Sequence, residues 1–405
     1  MRIALLAPLP PEKNGIADYA SQLVAALRAG GTEVALPLQG TPAAEAPARL
    51  RDFAWHTVTH VHAEIGGGRN SEFDALRWLA RQQPQLSLSA TVHDPERLIW
   101  RPAHLPFPLS LAQRWPAPWP QAATLLADPW TLRAERRLAR QLDACITLTH
   151  MGGHALATRM RIPPERVRVI AHGNASITPQ ALPGFGPDEP LKLLYFGFIY
   201  RGKGIEDLLD AMALVRQRQD VHAGNLRLTL AGGTAPETAF AQHGTYLDEL
   251  RARILRLGLT DCIDWQLDLP ARDIAAAIQT HHVMALPYRE SRKLALLGRM
   301  LGTSGALSWA NACGRGVISS DARAFAEEVS SGNGLTYPQG DVAALAERLT
   351  QWLANPSLAA GWAGHAARIG AQRTWPVIAA QFRQLFETLQ ARHAQAARHD
   401  MRRDD

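Results

Sequence analysis

The chain has 405 residues, 46% apolar and 20% charged, the composition of a soluble enzyme-sized protein with material for two cores. Its formal charge of +6 comes from arginine, with lysine only at Lys13, Lys192, Lys203 and Lys293, and no helix-turn-helix, RNP or zinc-finger pattern accompanies the basic balance to suggest nucleic acid. No uninterrupted apolar run of about 18 residues occurs and the first residues lack a cleavable signal pattern, so a cytoplasmic location is expected.

MRIALLAPLP reads as a buried strand and PPEKNG as a broken loop. IADYASQLVAALRAG follows as a helix with apolar Ile16, Tyr19, Leu23, Ala26 and Leu27. This strand-loop-helix unit lacks GxGxxG, so a dinucleotide fingerprint is not indicated. Strands are predicted around Thr57 to His62, Leu86 to Val92, Ala144 to Leu148 and Val167 to Ala171. His60 and His62 then fall at one strand end, where His62 is a candidate for an acceptor pocket, and His93 and Asp94 follow another. Cys145, Cys262 and Cys313 are scattered and odd in number, which reads as buried thiols and argues against a disulfide framework or zinc cluster.

From Arg97 to Trp130 the sequence is an irregular insert with Trp100, Trp115, Trp119 and Trp130 among prolines, and a basic helix, LRAERRLARQL, comes after it. Exposed tryptophans beside arginines suit a membrane interface or lipid-linked acceptor, with Trp115 and Trp119 as contacts; a loop packed over the domain is the alternative.

Ala175 to Pro190 is rich in Pro and Gly and marks a linker. Leu191 to Met212, LKLLYFGFIYRGKGIEDLLDAM, then opens a second α/β domain: an apolar strand, a loop carrying Arg201 and Lys203, and a helix with Ile205, Leu208, Leu209 and Met212 at helical spacing. Two cations at the carboxyl end of a parallel strand suit a phosphate, although an ordinary turn with solvated charges has the same appearance. Further strands are predicted around Leu226 to Ala231, Ile263 to Gln266, His282 to Pro287 and Gly316 to Ser319. In GTSGAL, Thr303 or Ser304 caps a helix whose free N–H groups suit an anion. The tail after Ala391 is polar.

PLPPEKNGIADYASQLVAAL, FGFIYRGKGIEDLLDAM, and LPYRE with SGALSWANACGRGVISSD resemble the glycine loop, phosphate loop and donor-site helix of GT-B glycosyltransferases of the retaining family 4 type. The resemblance spans nearly the whole chain. It implies two Rossmann-like doubly wound domains facing across a cleft: an acceptor-binding domain at 1–178, a linker at 179–190, a nucleotide-sugar-binding domain at 191–374, a helix at 375–389 crossing back, and a polar tail at 390–405. It further implies His93 at the transferred sugar, Lys203 and Arg201 at the diphosphate, and donor contacts from Gly15, Ile16, Asp94, Arg289, Glu290, Thr303, Ser304, Gly305, Ala306 and Leu307. The expected partners are a nucleotide-sugar donor and a glycan or lipid-linked acceptor.

Cleaving a sugar-nucleotide bond builds negative charge on the departing diphosphate, so fixed cations there are the main catalytic requirement. The sequence shows no metal-ligand spacing and no Asp-x-Asp at a strand end, so no divalent ion or other cofactor is expected. One departure from the family stands out: the two glutamates usual at the donor helix align with Leu301 and Trp309, neither of which accepts a ribose hydroxyl bond. Glu290 is the candidate replacement for a lost carboxylate. Phe198 stands where an arginine is common, with Arg201 three residues on. The missing glutamates motivate an alternative, a degenerate GT-B protein that binds a nucleotide sugar or a partner without turnover. A sugar-nucleotide epimerase would need a second acid/base group beside His93, from Asp94 or Glu290.

Overall fold

A computed structural model describes residues 1–12, 14–66, 69–99, 105–116, 118–186, 189–218, 225–233, 246–290, 299 and 301–401. Lys13, Trp100, Arg292 and Lys293 lie outside the described residues.

In chain order the first elements are β1 (Arg2–Leu6), α1 (Gly15–Ala29), β2 (Glu33–Ala35), α2 (Ala46–Asp52), β3 (His60–Ile65), α3 (Ser71–Gln82), β4 (Ser87–Val92), α4 (Trp119–Gln141), β5 (Ala144–Thr147), α5 (His150–Met160) and β6 (Val167–Val169). They are followed by β7 (Leu191–Phe196), α6 (Ile205–Gln217), β8 (Leu226–Gly232), α7 (Tyr246–Arg256), β9 (Ile263–Leu267), α8 (Ile274–Gln279) and β10 (Val283–Leu286). The last are α9 (Gly305–Ala312), β11 (Gly316–Ser320), α10 (Phe325–Val329), β12 (Gly334–Tyr337), α11 (Val342–Ala354), α12 (Leu358–Gln372) and α13 (Trp375–Met401).

The strands form two six-stranded sheets, β2-β1-β3-β4-β5-β6 and β12-β11-β10-β7-β8-β9, and every pairing is parallel. Parallel strands are covered on both faces, which is why β1, β4 and β10 are near-continuous buried runs. Two compact units result: Met1–Gly173 with Trp375–Asp405 and the stretch Arg292–Thr303, and Asn174–Ser291 with Ser304–Thr374.

In the first unit β3 extends three residues beyond the predicted strand, to Ile65, and all six of its residues are buried. His60 and His62 are therefore inside the sheet, which corrects the expectation that they end a strand. One flank is closed by α13, whose Ile378, Phe382 and Phe386 join Tyr19 and Leu23 of α1 in a single core. The insert is also more helical than predicted. α4 begins at Trp119, with Pro120 in its first turn where a missing N–H costs nothing, and continues through Pro129. Arg97 ties the preceding segment to this helix: its Nε donates to both carboxylate oxygens of buried Glu135, at 2.9 and 3.0 Å, and its guanidinium also pairs with Asp128.

In the second unit the Pro-rich segment before β7 is held by Arg315, only 1% exposed. Its guanidinium donates to the carbonyls of Gln180 (3.0 Å), Ala181 (3.1 Å) and His281 (2.7 Å), among others. Gly204, which precedes α6, has φ +69°, and a Cβ there would lie 1.7 Å from the Pro287 carbonyl oxygen. No other residue fits where the loop after β7 meets the end of β10.

Phe382 lies at 0% exposure in the core that α13 shares with α1. Phe382→Ala is expected to lower the unfolding free energy by about 3–5 kcal/mol, measured by urea denaturation; a change of a few tenths would mean that α13 is not part of that core.

Candidate functional site

The order of the second sheet reverses between β7 and β10, and in open α/β sheets ligands bind at the carboxyl ends of the strands flanking such a reversal. Lys203 follows β7, and Tyr288, Arg289 and Glu290 follow β10. Lys203 is 9% exposed and its Nζ lies 3.8 Å from the centroid of the Tyr288 ring. A desolvated cation on an aromatic face gains roughly 2 kcal/mol, but burial costs it more of its hydration. Burial accordingly draws the Lys203 ammonium down to about 8, with repulsion from Arg323 acting in the same direction. Arg323 was not singled out from the sequence. It sits in a left-handed turn after β11, φ +57°, with its guanidinium 5.8 Å from the same ring.

Tyr288 also meets α9. Its hydroxyl is 3.0 Å from Ser304 Oγ, and that oxygen accepts from Ala306 N at 3.3 Å as the helix N-cap. Thr303, Ser304, Ala306 and Leu307 are buried, whereas Gly305 is exposed. Glu290 braces the turn of the missed arginine, its Oε1 accepting from Arg323 N at 2.6 Å. Arg289 locks the lysine loop: its N donates to Gly202 O at 3.0 Å and its Nε pairs with Asp207 of α6 at 2.8 Å. Arg201 is placed differently from its neighbour. Half exposed, it pairs with Glu249 of α7 and lies over Tyr246, while Lys203 lies over Tyr288. Trp309 packs beside Phe196, and Leu301 belongs to the first unit, so neither supplies a carboxylate's acceptors.

In the first unit the sheet order reverses between β1 and β3. The loop after β1 ends at Asn14, whose side chain accepts from Ala17 N at 2.8 Å and caps α1. Gly15 opens the helix with nothing within 4 Å of the place a Cβ would take, and half-buried Ile16 follows. Glu12 in this loop pairs with Arg69, which also holds Glu72 at the start of α3. His93, directly after β4, has its Nε2 2.8 Å from Glu64 Oε2 and its ring edge-to-face with Tyr19. Burial favours a neutral Glu64, but hydrogen bonds from His62 and His93 overcome this and hold its carboxyl at about 2. Gly302 lies against this segment: a Cβ there would come 2.3 Å from the His93 carbonyl oxygen and 3.6 Å from Asp94 Oδ1.

His62 is corrected as an acceptor contact. It is 0% exposed, with Nδ1 2.8 Å from Ser89 Oγ and Nε2 3.0 Å from Thr91 Oγ1. Trp115 and Trp119 are each 56% exposed and pack edge-to-face at 6.0 Å. Among the described residues no cluster of three or more His, Cys, Asp or Glu side chains has metal-binding geometry.

Two six-stranded parallel sheets with candidate residues at their carboxyl ends define the GT-B class. Residues 190–355 match the family described as glycosyl transferases group 1. Solved structures of the same fold include sucrose-phosphate synthase from Thermosynechococcus elongatus, with TM-score 0.70 and 22% identity, covering 96% of this chain and 99% of that one. HepE of Anabaena in complex with UDP has TM-score 0.66 and 18% identity, covering 96% and 100%. A D-inositol 3-phosphate glycosyltransferase of Stackebrandtia nassauensis is 27% identical over 294 residues, 65% of this chain. The match spans 61% of that relative's length.

A lysine whose pKa is lower in the folded chain than in the unfolded one binds its proton less tightly when folded, so stability rises with pH between the two values. For Lys203 that window runs from about 8 to the ordinary 10.5. Urea midpoints measured from about pH 7.5 to about pH 10 should rise more in wild type than in Lys203→Met; parallel curves would refute the perturbed lysine.

Proposed function

We propose that this chain is a retaining glycosyltransferase of family 4 type that moves a sugar from a nucleotide-diphosphate donor to a glycan or glycolipid acceptor, in surface polysaccharide biosynthesis. The observation that carries the reading is the buried Lys203 on Tyr288, at the strand-order reversal of the segment that matches the group 1 family. A diphosphate leaving group gains charge as the glycosidic bond breaks, and a cation already stripped of water stabilises that charge without reorganising. Lys203 has this character, Arg323 adds a second positive charge at the same ring, and the Ser304-capped α9 adds its N-terminal dipole. With protein cations in this role no divalent ion is required. His93 acts at the developing positive charge of the sugar, with Glu64 behind it. The UDP-glucose complex of HepE makes a uridine donor the first to try.

Calorimetry across UDP-, GDP- and dTDP-sugars should find one that binds wild type at least about tenfold more tightly than Lys203→Ala. At about pH 8.5 binding should take up protons, because a diphosphate restores the lysine's charge. Equal binding by both proteins would overturn the assignment. Since Leu301 and Trp309 occupy the places of the family's glutamates, binding without donor hydrolysis or transfer would instead favour the alternative, a nucleotide-sugar-binding subunit without turnover.

α4 supports a lipid-linked acceptor at the inner face of a membrane. Trp119, Leu126, Trp130, Arg133, Arg137 and Arg140 are all exposed and, at about 100° per residue, fall on one stripe of the helix. Aromatic and arginine side chains on one face suit the headgroup region of an anionic bilayer. Vesicles containing phosphatidylglycerol should bind wild type and lose most of that binding with Trp130→Ala/Arg137→Ala; no binding by either protein would end the membrane reading.

A further inference from the structure

β3 and β4 pair in a register that sets His60 opposite Ser87, His62 opposite Ser89 and Glu64 opposite Thr91. All six side chains are buried on one face of the sheet, with Phe382 and Phe386 of α13 against the two imidazoles. Hydrogen-bond distances run unbroken along this face. His62 Nε2 is 3.2 Å from Glu64 Oε1 and His62 Nδ1 is 2.8 Å from Ser89 Oγ; that hydroxyl is 2.8 Å from His60 Nε2. His60 Nδ1 is 3.1 Å from Ser87 Oγ, which lies 2.9 Å from Oδ2 of Asp143, the residue before β5.

The protons in this chain do not balance. Five contacts separate the two carboxylates: Asp143–Ser87, Ser87–His60, His60–Ser89, Ser89–His62 and His62–Glu64. Ionised carboxylates only accept, while Ser87, Ser89 and two neutral imidazoles bring one proton each, so four protons face five contacts. Either one contact stays empty or the chain takes up one more proton; the contact at Asp143 Oδ2 is part-buried, and that oxygen also accepts from Leu88 N at 2.8 Å. A neutral alternative turns the Thr91 hydroxyl onto His62 Nε2 at 3.0 Å, but it leaves that lone pair 3.2 Å from an ionised carboxylate. His60 is a poor place for the extra charge: burial drives its pKa down, and His62 and His393 repel it. Other titratable groups near the chain are His93, on the far oxygen of Glu64, and Tyr19 of α1, whose phenol is pushed up by burial and by Glu64.

We propose that Ser87, His60, Ser89 and His62 form a buried relay between Asp143 and Glu64 that holds one surplus proton on His62, making Glu64 the positioning group for His93. A carboxylate with His62 on one oxygen accepts from His93 Nε2–H with the other, which sets the ring's orientation and leaves Nδ1 as the lone-pair nitrogen of the neutral ring. The importance of this for catalysis rests on the reading of His93 given above; the relay itself does not.

The test is heteronuclear NMR of imidazole nitrogens in the full chain without ligand, with His62 assigned by the signal lost in His62→Gln. At neutral pH the His62 ring of wild type should carry both protons. In Ser89→Ala it should become neutral, because the fragments Asp143–Ser87–His60 and His62–Glu64 are each complete with their own protons. Ser87→Ala cuts the chain at its other end and should have the same effect, which covers the case that one variant fails to fold. An isolated His62–Glu64 ion pair would keep both protons in either variant, and that result, or a neutral His62 in wild type, overturns the relay. An inactive transferase assay leaves this measurement untouched and bears only on the role of His93.

Discussion

Parallel strands covered on both faces impose the constraint from which the rest follows. In the central strands β1, β3, β4 and β10 nearly every side chain is buried, so functional groups are placed where strands end. Lys203 follows β7, Tyr288 follows β10 and His93 follows β4, all at carboxyl ends. The same enclosure sets their chemistry: it removes water from the Lys203 ammonium, and it obliges the polar residues within β3 and β4 to satisfy one another.

Much of this was legible in the sequence. The apolar run before Gly197 and the helical spacing after Gly204 located β7, the lysine loop and α6, and the alternation of strand and helix gave two parallel sheets. Boundaries were harder to read where polar residues are buried. In HVHAEI a polar residue at every second position resembles a strand leaving the core, and the partners that neutralise it, Ser87, Ser89 and Thr91, lie a strand away and face it only in the observed register. β2 and β12, of three and four residues, carry too little pattern to stand out. Prolines suggested a loop before Trp130, yet Pro120 falls in the first turn of a helix that begins at Trp119.

The site residues divide along the same line. Lys203 and Ser304 were singled out from motifs that are each continuous in sequence, whereas Tyr288, inside LPYRE, was not. Arg323 owes its place to a left-handed turn after β11 and to a carboxylate, Glu290, that reaches it from another strand end. Charge type alone did not separate Arg201 from Lys203. The exposed arginine found a carboxylate on α7, whereas the lysine found an aromatic face and, among the described residues, no carboxylate that offsets its desolvation.

Arg315 extends this contrast. Its guanidinium is enclosed by backbone carbonyls from Gln180, Ala181, Gln279, His281, Cys313 and Gly314, and none of these carries a counter-charge. Dipoles satisfy its hydrogen bonds but leave its monopole intact, so the field of one positive charge emerges from the interior of the second unit, where mobile counter-ions do not reach it. Added salt would therefore weaken its attraction for an anion bound within the second unit much less than for an anion still in solution.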